Sequence, residues 1–125
     1  MIYGIGTDII EVSRMDKHLE NNDALRDKLF TEAEQKYCEK GKITRGQCYA
    51  ARFAAKEAFF KALGTGYRYG MAFHEIEVFN DELGKPYIQP TGKVKEFVEE
   101  QRIKSIYLSI YHVKELANAF VVLEM

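Results

Sequence analysis

Arg52-Phe53-Ala54-Ala55-Lys56-Glu57-Ala58-Phe59-Phe60-Lys61-Ala62-Leu63-Gly64-Thr65-Gly66 is the stretch on which the fold turns. With Ala50 and Ala51 just before it, the alanines combine high helix propensity with side chains small enough for close packing on several sides. The pattern predicts a central helix over Arg45–Leu63 that stops at Gly64. Within it, Glu57 and Lys61 stand one turn apart on one face, ahead of the glycine loop Gly64-Thr65-Gly66. A carboxylate, an ammonium and loop N–H groups at one helix end suit a metal-bound polyphosphate.

Working outward, Gly4-Ile5-Gly6-Thr7-Asp8-Ile9-Ile10-Glu11 lies in an isoleucine-rich N-terminal segment that reads as a buried strand over 2–12, with Asp8 as its one intrusive charge. Short helical stretches over 13–29 are broken at Asn21-Asn22-Asp23. Thr31-Glu32-Ala33-Glu34 is a capping box that opens a helix to about Lys40, ended by Gly41. Beyond the central helix, Ile76-Glu77-Val78-Phe79 and Pro86-Tyr87-Ile88 flank a turn with Gly84 near its end, which predicts a hairpin. Val94, Phe97 and Val98 mark a short helix. The segments 105–111 and 117–123 read as two last strands joined by a loop beginning at His112. Strands at both ends with helices grouped between them predict one α+β domain over residues 1–125, a largely antiparallel sheet with helices packed on one side.

The chain is 46% hydrophobic and 13% aromatic over 125 residues, enough for a core without staples. Cys38 and Cys48 have no His or Cys at metal spacing and read as reduced thiols of a cytoplasmic protein. No run approaches the roughly 20 apolar residues of a membrane span, and no signal-type segment opens the chain. With 18 basic against 19 acidic side chains, the charge balance excludes the strongly basic footprint of a nucleic-acid binder.

Taken as residue types alone, the candidate site has two readings. Asp8 and Glu57 are hard oxygen ligands in the number that suits Mg²⁺, which keeps waters and substrate phosphates for its other positions. Equally, Asp8 fits a turn cap and Glu57-Lys61 an ordinary i,i+4 ion pair. Gly64-Thr65-Gly66 fits an anion nest or a plain helix C-cap. His112 at a strand end fits a phosphate ligand or a surface residue. Arg14, Lys17 and His18 share one helical face, which suits an acidic partner or solvent.

Together, the N-terminal block, Arg52 to Phe59 with Lys61 and Gly64-Thr65-Gly66, the Gly84-Lys85-Pro86 turn, and Ala117-Asn118-Ala119-Phe120-Val121 resemble the holo-acyl carrier protein synthase family, the short class of 4'-phosphopantetheinyl transferases. They occur in the family's order and span nearly the whole chain. The resemblance implies an enzyme that moves the 4'-phosphopantetheine arm of coenzyme A to a serine of apo acyl carrier protein for fatty acid biosynthesis, releasing adenosine 3',5'-bisphosphate. It implies Mg²⁺ on Asp8 and Glu57, with Glu57, Lys61 and Asp8 as the catalytic set. It further implies coenzyme contacts from Arg52, Lys61, Gly64, Thr65, Gly66, Pro86 and His112, carrier docking at Arg14, and a homotrimer with active sites between subunits. Two positions depart from the family's usual pattern: Phe60 stands where Ser is usual, and Tyr111 replaces the Ser before His112. A coenzyme-binding module without transfer, and an interaction protein in which Asp8 and Glu57 are structural, are the other readings.

Overall fold

A computed structural model describes residues 1–66 and 68–125. The strand β1 (Ile2–Glu11) leads into α1 (Val12–Leu19), α2 (Asp23–Leu29), α3 (Glu32–Cys38) and the long α4 (Arg45–Leu63). A hairpin of β2 (Ile76–Asn80) and β3 (Pro86–Pro90) follows, then α5 (Gly92–Glu100), β4 (Ser105–His112) and β5 (Leu116–Glu124). The chain is α+β, as its pattern predicts, and both its sheets are antiparallel. β5 lies between β1 and β4, while β2 and β3 pair separately. No helix among the described residues is long and apolar enough to cross a membrane.

Local chemistry sets the element ends. Thr31 Oγ1 accepts from the Glu34 N–H at 3.2 Å and Glu34 Oε1 accepts from the Thr31 N–H at 2.9 Å, so the capping box forms on both sides. Gly64 takes φ of +80°, where only glycine is unstrained, and its N–H returns to the Phe60 and Lys61 carbonyls. At the hairpin tip, Asp81 Oδ1 accepts from the Leu83 and Lys85 N–H groups, both at 2.9 Å.

The central helix α4 is buried on nearly all sides. Ala54, Ala55, Ala58, Phe59 and Phe60 join Val121 and Leu123 of β5, Val78 of β2 and Val94 of α5 in one core cluster; Tyr49, Ala50 and Ala51 join Val12, Met15 and Phe30 in a second. A Cβ at Gly4 would collide with the Ala62 carbonyl, and one at Gly6 with the Ala58 carbonyl. The two early glycines therefore let β1 lie directly on the helix backbone, which brings Asp8 against the face carrying Glu57 and Lys61.

Two expectations are corrected here. β1 is not buried on both faces: Ile5 and Ile9 are 58% and 60% exposed, because α4 covers the side bearing Gly4, Gly6 and Asp8 and leaves the other side open. The cysteines are not thiols. Cys38 and Cys48 form a disulfide with Cα atoms 5.4 Å apart, because the short turn after α3 folds it back on α4, a tertiary contact that cysteine spacing does not report.

Candidate active site

Asp8 from β1 meets Glu57 and Lys61 from α4 within one chain. Lys61 Nζ donates to Asp8 Oδ1 at 2.9 Å and to the Thr7 carbonyl at 3.0 Å, so the ion pair runs from helix to strand and not one turn along the helix. The Asp8 side chain is largely buried and its Oδ2 has no hydrogen-bond partner, whereas the Lys61 side chain is half exposed and keeps room to meet an anion. Burial, then the Asp8 charge, raises the Glu57 carboxyl above the ordinary carboxylate value, against an opposing pull from Lys61.

Two hard carboxylates, one with a buried oxygen that lacks a partner and one penalised by its charged neighbour, form a donor set that a small divalent cation relieves. Among the described residues no group of three or more His, Cys, Asp and Glu side chains could hold a metal. Asp8 and Glu57 as a pair would fit Mg²⁺, a cation that leaves most of its positions to water and phosphate.

A second group lies at the other edge of the sheet. A cavity of about 510 Å³ is lined by Arg52, Pro86 and His112, together with Asn80, Cys38 and Cys48. The Arg52 guanidinium is buried, lies 4.4 Å from the Tyr37 ring centre and donates from Nη2 to Asn80 Oδ1 at 2.8 Å. Its Nε is buried without a partner, and burial lowers its pKa from the free value. His112 Nδ1 lies 3.0 Å from Gln47 Oε1. A third hollow, of about 330 Å³, is lined by Arg14, His18, Ile9, Met15 and Phe53.

The profile of the 4'-phosphopantetheinyl transferase superfamily matches residues 4–120. The chain belongs to the 4'-phosphopantetheinyl transferase superfamily. A holo-[acyl-carrier-protein] synthase of Trichlorobacter lovleyi is 50% identical over 125 residues, covering 99% of this chain and 98% of the relative. The crystal structure of the holo-[acyl-carrier-protein] synthase from Neisseria meningitidis superposes with a TM-score of 0.91 at 36% identity, over the whole of both chains. That of Bacillus anthracis, in complex with CoA (3',5'-ADP), superposes with a TM-score of 0.82 at 41% identity, over 99% of this chain and 97% of that one. The chain is an enzyme, a transferase of the holo-acyl carrier protein synthase kind.

In this transferase the residues singled out from sequence divide into four places. Asp8, Glu57 and Lys61 come together. Gly64, Thr65 and Gly66 follow directly at the end of α4, where the Gly64 N–H is spent on capping and Thr65 Oγ1 donates to the Gly66 carbonyl at 2.8 Å. Arg52, Pro86 and His112 line the cavity of about 510 Å³, and Arg14 the third hollow. The departures from the family pattern have separate settings: Phe60 is buried edge-on to Phe73 with ring centres 5.3 Å apart, while Tyr111 stands exposed on the outer sheet face.

Sequence reasoning missed the fully buried pair Lys56–Glu34. Lys56 Nζ donates to Glu34 Oε1 at 2.7 Å and to the Phe73 carbonyl at 3.0 Å, while Glu34 Oε2 accepts from the Val78 N–H at 2.8 Å. One carboxylate thus ties α3 to α4 and to β2, and Lys56 sits next to Glu57 on α4. The signal was present, since Glu34 is the capping-box acid and Lys56 a cation among alanines, but nothing in the sequence pairs residues 22 apart.

Proposed function

We propose that this chain transfers the 4'-phosphopantetheine arm of coenzyme A to a serine of apo acyl carrier protein in a Mg²⁺-dependent reaction, serving fatty acid biosynthesis in the cytoplasm. The observation that carries this reading is the meeting of Asp8, Glu57 and Lys61 around an unpartnered buried carboxylate oxygen. Asp8 and Glu57 would hold the cation, which when bound neutralises pyrophosphate charge.

The serine Oγ forms a bond to the phosphorus on the pantetheine side, and the bond from that phosphorus to the bridging oxygen breaks. Adenosine 3',5'-bisphosphate leaves with the electron pair. Glu57, or a water that it orients, takes the serine proton. Lys61, held by Asp8 and the Thr7 carbonyl, would stabilise the charge on the leaving phosphate. Arg52 and His112 serve the nucleotide's remaining phosphate, and Arg14 meets the acidic carrier. Chromatography of a mixture of coenzyme A, apo carrier protein and Mg²⁺ is expected to show adenosine 3',5'-bisphosphate released in step with carrier consumed; no release across several carriers would overturn the reading.

The active site is completed between copies in a homotrimer. Asp8 and His112 sit on the two edge strands, β1 and β4, of one sheet, which leaves both groups at borders a neighbouring copy can meet. The outer sheet face supports this. Its register rows read Ile5, Val122 and Tyr107; Thr7, Phe120 and Ser109; Ile9, Asn118 and Tyr111, an apolar surface of the kind that marks an interface. Phe120→Glu at the centre of that face is expected to convert trimer to monomer in multi-angle light scattering and to remove most turnover; a fully active wild-type monomer would contradict the arrangement.

A further inference from the structure

The disulfide lies in the wall of the cavity assigned above to the coenzyme. Cys38 and Cys48 both line it beside Arg52 and His112. The bridge joins the last residue of α3 to the first turn of α4 and closes a short ring whose outer part, with Lys40, Lys42 and Ile43, is exposed. Tyr37, the neighbour of Cys38, supplies the ring over the Arg52 guanidinium. What fixes Cys38 therefore fixes the aromatic plate against which Arg52 is held.

We propose that Cys38 and Cys48 form a thiol–disulfide exchange site whose redox state sets how tightly the neighbouring cavity holds its coenzyme. Disulfides that occur in the reducing cytosol are most often transient or redox-sensing, which suits a bridge at a ligand cavity better than one serving as a structural staple. In the exchange, a small-molecule thiolate attacks Cys48 Sγ, the more exposed partner, and the Cys38 thiolate leaves and takes up a proton. A second thiolate attacks the mixed disulfide. The protein gains two thiols and two small thiols become one disulfide.

The oxidised form presents a preorganised wall. In the reduced form the α3 end is held by Glu39, whose carboxylate accepts from Arg45 at 2.7 Å and from Tyr49 at 2.6 Å, and Tyr37 gains freedom over Arg52. Ordering that wall is then charged against coenzyme binding, which predicts a KM for coenzyme A about threefold to tenfold higher after reduction. kcat should stay within about twofold, because Asp8, Glu57 and Lys61 are not part of the cavity wall that the bridge fixes.

The inference rests on the reading that coenzyme A occupies this cavity. The test uses wild-type protein oxidised with glutathione disulfide or reduced with dithiothreitol, one portion of each alkylated and weighed to count free thiols and a separate unalkylated portion assayed for kcat and KM. The Cys38→Ser, Cys48→Ser double variant serves as the redox-blind control. Two thiols appearing on reduction, with the KM rise in wild type alone, is the expected result. Equal kinetics in both states, or two thiols that persist under glutathione disulfide, would overturn the inference while leaving the transferase reading intact. Absence of transfer in both states would overturn that reading and this inference with it.

Discussion

Glu57→Gln is expected to abolish turnover while making the metal-free protein more stable. Loss of a positioned general base costs about 10²- to 10⁴-fold, and loss of a metal ligand adds to it, so transfer should fall at least three orders of magnitude in a single-turnover assay. The stability gain has the opposite cause. Burial and the Asp8 charge give Glu57 a higher pKa in the folded chain than in the unfolded one, so the folded state binds the proton more tightly. Wild-type stability accordingly falls as pH rises from the ordinary carboxylate value through the raised folded value, and stays lower above it. The glutamine variant does not titrate. Its advantage in urea denaturation should therefore grow as pH rises from the ordinary carboxylate value through the raised folded one in the presence of a chelator. Adding Mg²⁺ should raise the melting temperature of wild type more than that of the variant, since only wild type keeps both carboxylates. A variant that turns over at near-normal rate, or that gains nothing in stability as pH rises, would remove Glu57 from the role assigned to it.

Lys56→Met should strongly destabilise the fold. Lys56 and Glu34 are both fully buried, and the ammonium is the carboxylate's one cationic neighbour within bonding distance among the described residues. Burial, and after it the Arg52 charge, push the lysine's pKa down, and Glu34 leads the opposing pull, with a smaller share from Glu77. Removing one partner of such a pair leaves an uncompensated charge and typically costs about 3–5 kcal/mol. The Phe73 carbonyl also loses a donor. The double variant Lys56→Met, Glu34→Gln should recover part of the loss, because it leaves no stranded charge, although the amide's single oxygen can serve only one of the Val78 and Thr31 N–H groups. A loss below about 1 kcal/mol for Lys56→Met in urea denaturation would mean that water reaches the pair.

Two of these expectations concern neighbours on α4 with opposite duties. Lys56 points into the core and locks α4 to α3 and β2; Glu57, one residue on, faces Asp8 and, in the proposed reaction, does chemistry at the expense of stability. The strongly alanine-rich surroundings let one helix serve both, because small side chains allow β1, β5 and the hairpin to close on it from several sides. Stability lost at Glu57 is offset by burial one step away.

Most element boundaries were legible because they follow local chemistry. The capping box at Thr31, the stop at Gly64 and the Asp81 turn each rely on groups within a few residues of one another. What was not legible depends on tertiary placement. Isoleucine content indicates a strand but not which face of it α4 covers, so the exposure of Ile5 and Ile9 could not be anticipated. The Cys38–Cys48 bridge and the Lys56–Glu34 pair join helices through a fold-back that no spacing rule encodes. At the site, Asp8, Glu57 and Lys61 were named from residue type and order, yet the geometry redirected Lys61 from its helical neighbour to the strand. Phe60, bulky where the family usually has serine, is core packing beside Phe73 and lines none of the cavities described above.

The central claim is tested most directly by weighing apo acyl carrier protein after incubation with this protein, coenzyme A and Mg²⁺, beside a sample containing chelator. The account predicts a mass gain of one phosphopantetheine on the carrier, present with Mg²⁺, absent with chelator and absent with Glu57→Gln. An unmodified carrier in every sample, or a gain that survives both the chelator and the Glu57 substitution, would contradict it.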